Sequence, residues 1–132
     1  MPHTWPQRAA LAFVVLWFCL GGLAHFAFTE TEMRIVPDWL PHARVLVLAS
    51  GALELLGAAG LLWPRWRAAA AWGLFALTIA VTPANVFMLQ HAERFPAVPV
   101  SLLVLRLPLQ LALLALIWWV AMVARPQPSP RG

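Results

Sequence analysis

The run VLVLASGALELLGAAGLLW, Val45 to Trp63, governs how the whole chain is read, because it is long enough to cross a bilayer and carries Glu54 near its middle. A carboxyl group at that depth is costly, so Glu54 is expected to face a partner inside the protein. On either side, three further apolar stretches of similar length occupy residues 9–28, 68–88 and 100–123, and Glu54 is the only acidic residue in any of the four. The expected fold is all-α, an integral membrane four-helix transmembrane bundle. One domain, residues 1–124, holds spans at 9–28, 43–63, 68–88 and 100–123, and residues 125–132, proline-rich, are expected to be a disordered cytoplasmic tail.

Composition agrees. The hydrophobic fraction of 62% exceeds the roughly 45–50% of soluble domains. A formal charge of +4 raises the question of nucleic acid, but every basic residue is arginine and most sit beside the ends of apolar stretches, as in membrane proteins. No nucleic acid partner is expected; the lipid bilayer is. The single cysteine, Cys19, lies within the first span and excludes thiol–disulfide exchange by this chain alone. The first apolar run is longer than a signal core, and is read as a retained span.

The N-terminal flank, the second connection and the tail carry Arg8, Arg65, Arg67, Arg125 and Arg131 with no acid, whereas the other two connections carry Arg34, Arg44 and Arg94 beside Glu30, Glu32, Asp38 and Glu93. This bias predicts both termini in the cytoplasm. Tryptophans mark the boundaries: Trp5, Trp63, Trp66, Trp118 and Trp119 towards the cytoplasmic side and Trp39 in the first outer connection. Trp17 and Trp72, within spans, are read as packing residues. In the first outer connection, Pro37 and Pro41 flank Trp39; this segment is either a lid over the bundle or a solvated loop with an interfacial tryptophan.

Each span carries polar or small residues at helical spacing. His25 follows Gly21 and Gly22; Ser50, Glu54 and Gly57 fall at i, i+4, i+7; Thr78, Thr82 and Asn85 repeat that register; Arg106 and Gln110 are four apart. Each set occupies one helix face. A rise of about 1.5 Å per residue puts His25 and Asn85 about 5 Å below the outer boundary, Arg106 about 9 Å, Gln110 about 15 Å and Glu54 about 16 Å. His25, Ser50, Glu54, Thr82, Asn85, Arg106 and Gln110 are therefore the candidate ligand-binding residues, forming a funnel with Glu54 as its floor. The competing reading is a structural clamp, Arg106 on Glu54 or Ser50 on Glu54. A metal centre would require His25, His42 or His91 to meet a carboxylate, which no spacing demands, and no metal or catalytic residue is assigned. Ser50, Gly51, Gly57 and Gly60 are expected to permit close helix packing, and Pro83 and Pro108 to interrupt the third and fourth spans.

The ordered motifs Gly21-Gly22-x-x-His25-Phe26, Val36-Pro37-x-Trp39-Leu40-Pro41, Ser50-Gly51-x-x-Glu54, Pro64-Arg65, Pro83-Ala84-Asn85 and Arg106-Leu107-Pro108-Leu109-Gln110 resemble the DoxX-like family of small bacterial four-helix membrane proteins. The resemblance runs from the first span to the end of the fourth. It implies a multi-pass protein of the bacterial inner membrane, in a family associated with quinone-linked sulfur oxidation and with complexes that handle oxidative stress. No catalytic residue carries over, and Asp38 stands where that family's loop would have another proline.

Three functions compete. The first is a polar intramembrane pocket for a quinone or other lipophilic small molecule, serving a membrane redox or oxidative-stress system. No haem, flavin or iron–sulfur motif is present, so electrons would need a membrane or soluble redox partner subunit. The second is a non-enzymatic assembly or scaffold subunit with a merely structural interior. The third is a small proton-coupled transporter; known four-span multidrug transporters carry their carboxylate in the first span, not the second. The residues define neither an enzyme acting on its own nor a cofactor.

Overall fold

The N-terminal helix starts before its apolar stretch does. Thr4 and Gln7 form a reciprocal capping box, each backbone N–H donating to the other's side-chain oxygen at 3.3 Å, and this sets the start of α1 (Trp5–Ala27) four residues ahead of the first apolar position. The computed structural model describes residues 4–96 and 98–124; the tail expectation for 125–132 lies outside them. Among the described residues the chain is all helical. A short α2 (Thr29–Met33) opens the first connection, followed by α3 (Ala43–Leu62), α4 (Arg67–Ala80), α5 (Thr82–Gln90), a 3-10 turn (Ala92–Arg94) and α6 (Val100–Val123).

The third stretch, 68–88, is interrupted beside Pro83, as its sequence leads one to expect. It breaks at Val81, with Pro83 in the first turn of α5, where a missing N–H costs nothing. Pro108, expected to interrupt the fourth stretch in the same way, instead stays inside an unbroken α6. The difference lies in what surrounds each proline. At the break the Thr78 carbonyl accepts from Gln110 Nε2 (3.1 Å) and Thr82 Oγ1 (3.1 Å), so side chains replace the lost ladder.

The helices run alternately up and down. His25, at the end of α1, meets Val47, at the start of α3; Gly57 and Gly60 of α3 face Leu74 and Ala70 of α4; Asn85 and Met88 of α5 meet Gln110 and Arg106 of α6. Contacts place the long helices in the ring order α1, α3, α4, α6, which leaves α3 and α6 on a diagonal. The tight turn between α3 and α4 makes them antiparallel neighbours, and buried Arg67 closes it by donating Nε–H to the Leu61 carbonyl at 2.7 Å. Arg67 therefore does more than mark a boundary: it satisfies an orphan carbonyl in the last turn of α3.

Apolar side chains fill the half of the bundle nearest the ends of the chain, with Val14, Phe18, Leu61, Leu74, Leu113 and Ile117 at its centre and half-buried Cys19 against it. A smaller cluster of Met88, Phe95 and Leu103 sits at the opposite end. Between them the interior is open and carries most of the buried polar side chains. The outside inverts a soluble protein: Leu20 and Leu111 are 67% and 68% exposed while Thr78 and Asn85 are 4% and 9% exposed. Four helical stretches, Trp5–Ala27, Ala43–Leu62, Arg67–Gln90 and Val100–Val123, are long and apolar enough to cross a membrane. Trp17 and Trp72, read from sequence as packing residues, lie on this outer surface instead, each against an aromatic of its own helix: Phe13 at 5.8 Å and Phe75 at 5.7 Å between centroids.

Candidate functional site

The open half of the bundle holds a cavity of about 400 Å³. Six of the seven sequence candidates, His25, Ser50, Glu54, Asn85, Arg106 and Gln110, line it; Thr82 stands behind Gln110.

On one wall, His25 reaches α3 because Gly51 has no side chain: a Cβ there would stand 2.6 Å from the Cβ of His25. The imidazole Nδ1–H donates to the Val47 carbonyl at 2.8 Å, with Ser50 Oγ 3.4 Å from the same nitrogen; Ser50 itself donates to the carbonyls of Leu46 (2.5 Å) and Val47 (3.2 Å). A carbonyl can only accept, so Nδ1 carries a proton. Nε2 is left facing two carboxylates, Glu54 Oε2 at 3.0 Å and Glu32 Oε2 at 3.4 Å. These are ion-pair distances, yet neither buried oxygen makes a well-angled hydrogen bond. For Nε2 to be satisfied, either it bears a second proton or one carboxyl group does. Burial pushes the Glu32 carboxyl above its usual range, against the opposing attraction of His25 and Arg106.

The other wall is an amide network across the break in the third span. Gln110 Oε1 accepts from Asn85 Nδ2, and Gln110 Nε2 donates to the Thr78 carbonyl (3.1 Å) and to Thr82 Oγ1 (2.7 Å). Both Gln110 amide hydrogens are thereby committed to the protein. Thr82 likewise spends its hydroxyl on this network rather than on the cavity. Arg106 contacts Met88 Sδ through Nη1 at 3.0 Å and, among the described residues, forms no ion pair. The Arg106–Glu54 clamp considered from sequence does not form. The two residues stand on diagonal helices, and His25 takes the place that arginine would have filled.

The connection between α1 and α3, residues 28–42, folds over the cavity. Ile35, Val36, Pro37 and Leu40 line it, Ile35 also packs on the Met88–Phe95–Leu103 cluster, and Asp38 pairs with Arg94 at 3.3 Å, while Trp39 remains exposed. Of the two sequence alternatives, the lid describes this geometry. Glu32 is the residue that sequence reasoning missed, counting it only as loop charge. The available signal was its i+7 spacing from His25, hidden by the helix stop at Phe28, after which α2 begins at Thr29 and packs on α1 and α3. His91 and His42 lie elsewhere: His91 Nδ1 donates to the Phe87 carbonyl at 3.0 Å, and His42 precedes α3 in a left-handed conformation. Among the described residues no group of three or more His, Cys, Asp or Glu side chains is arranged to hold a metal ion.

Fold and site together define a small four-helix bundle with an internal cavity of largely apolar walls into which a few polar side chains reach. The chain belongs to the family described as a domain of unknown function, DUF8561, whose profile matches residues 14–121 and so takes in every cavity residue named above. No curated protein and no solved structure matches the chain.

Proposed function

We propose that this is a multi-pass membrane protein of the DoxX-like type whose internal cavity binds a lipophilic small molecule with a polar head, a quinone being one candidate, as part of a membrane redox or oxidative-stress system. One observation carries the reading: an interior of about 400 Å³ with largely apolar walls, into which a few polar groups converge from different helices. That is the composition of small-molecule sites. A scaffold role with a merely structural interior fits less well, because side chains that only clamp helices close the space between them. Insertion is supported by the apolar outer surface and the four long apolar helices. The arginine distribution supports an inner-membrane protein with both termini in the cytoplasm.

The test is native mass spectrometry of protein purified in mild detergent and incubated with a bacterial lipid extract. Wild type is expected to retain a small-molecule adduct that Glu54→Gln, still folded by circular dichroism, does not. Bare wild-type protein after that incubation would defeat the proposal.

A further inference from the structure

The cavity is roofed at its outer end but not closed at its side. On α3, Leu46, Ala49, Leu53, Gly57 and Gly60 follow one another at three- and four-residue steps and share a face. At Gly57 and Gly60 that face is covered: a Cβ at either would collide with Leu74 or Ala70 of α4. One to three turns further along, the same face is open, with Leu53 52% and Leu46 39% exposed and Ala49 exposed as well, although all three line the cavity.

The cause is the break at Val81. Beyond it, α5 packs on α6 and α4 and makes no comparable contact with α3, so the third span leaves its neighbour at the depth of the polar groups. Ala80 and Pro83, both exposed and both lining the cavity, form the opposite edge. The end facing the outer connection offers no equal opening, since Ile35 is packed into an apolar cluster and Asp38 is paired with Arg94.

Resting on the membrane-inserted, ligand-binding reading above, we infer that the cavity is loaded sideways from the bilayer, through the gap between α3 and the broken third span, by an amphiphile that is already dissolved in the hydrocarbon. The edges of the gap are aliphatic, so they suit an alkyl or isoprenoid chain. The cavity wall behind the gap includes the carboxyl side chains of Glu54 and Glu32, so it suits a head that donates an O–H or N–H. A tail lying in the gap would remain in lipid while the head is held inside. The ligand class is therefore a single-tailed amphiphile with a donor head, and not a water-soluble substrate arriving through the outer connection.

The experiment uses the full chain in proteoliposomes and a dodecanol carrying a photoreactive diazirine beside its hydroxyl, with labelled residues mapped by mass spectrometry. In a Cys19→Ala background, Leu53→Cys is modified after folding with a bulky maleimide, so that the plug cannot affect folding. A second sample carries Asp38→Cys and Arg94→Cys joined by a bifunctional maleimide, which fixes the lid. Labelling of Glu54 and its cavity neighbours is expected in the unplugged protein, to fall about tenfold with the plug, and to persist with the lid fixed. Labelling that survives the plug overturns side loading and leaves the cavity reading standing. No cavity labelling in the unplugged protein overturns both.

Discussion

His25 has one nitrogen committed and one at stake. Because Nδ1–H is held by the Val47 carbonyl, only Nε2 is left to meet Glu54 and Glu32. Glu54→Gln keeps the shape of that contact and removes its charge, and is expected to leave folded protein that has lost its ligand. Arg106 carries the opposite expectation to that of a clamp. With no carboxylate partner, Arg106→Leu should change stability by less than about 1 kcal/mol, whereas breaking a buried ion pair costs about 3–5 kcal/mol. Thermal melts in detergent decide this, and a loss in the larger range would restore the clamp. Glu32 supplies a pH dependence. Burial holds its carboxyl above the ordinary 4.5 in the folded protein, so its contribution to docking α2 is complete below the unfolded value and is lost as pH rises through the raised one. Hydrogen-exchange protection across Thr29–Met33 is expected to fall as pH is raised from 4.5, and Glu32→Gln to flatten that profile. Protection that is equally pH-dependent in the variant would rule out Glu32 as the cause.

Between elements, closeness is set by single glycines. Gly51 lets α1 approach α3 until the His25 Cβ fills the space a side chain would take, so Gly51→Ala must push the helices apart where the imidazole meets its carboxylates. Overpacking of this kind costs about 1–3 kcal/mol. Gly73 lies on the exposed face of α4, where an added methyl group would meet nothing within 4 Å, so Gly73→Ala should stabilise by about 0.5–1 kcal/mol through the backbone alone. Opposite shifts in melting temperature are expected from these two additions of the same methyl group, with ligand retention lost only in Gly51→Ala. Equal shifts would mean that α1 and α3 are not in close contact at the site. The two prolines make a related point. Pro83 lies where α5 begins and the third span turns away from α3, while Pro108 lies in a helix that continues through it. Composition alone does not separate them; the partners of the Thr78 carbonyl do.

For the whole molecule, the up-and-down course brings Gln7 of α1 and Val123 of α6 to the wall of one small pocket, so the two ends of the described chain share a side of the bundle. Cysteines introduced at Trp66 and at Trp39 are expected to react with a membrane-impermeant maleimide from opposite faces of inside-out and right-side-out vesicles, Trp39 from the outer one. Reaction from the same face would sink the four-span arrangement.

The helical class, the approximate spans and the polar residues that turn inwards are all legible in the chain before it folds, because each follows from local quantities: segment length, hydropathy and the 3.6-residue period. Glu54 is legible too, since a lone carboxyl in an apolar run is conspicuous without neighbours. Which group meets that carboxyl is settled by packing alone. Arg106 was the nearer candidate by charge, but ring order sets α6 diagonal to α3 and brings α1 alongside, so His25 became the partner. Glu32 joined through a connection that the helix stop at Phe28 separates from α1, so its spacing from His25 does not by itself place it. The gap beside the cavity belongs to the same category: an opening exists where two helices part, and the separation of helices is a property of their packing, which no single stretch of chain contains.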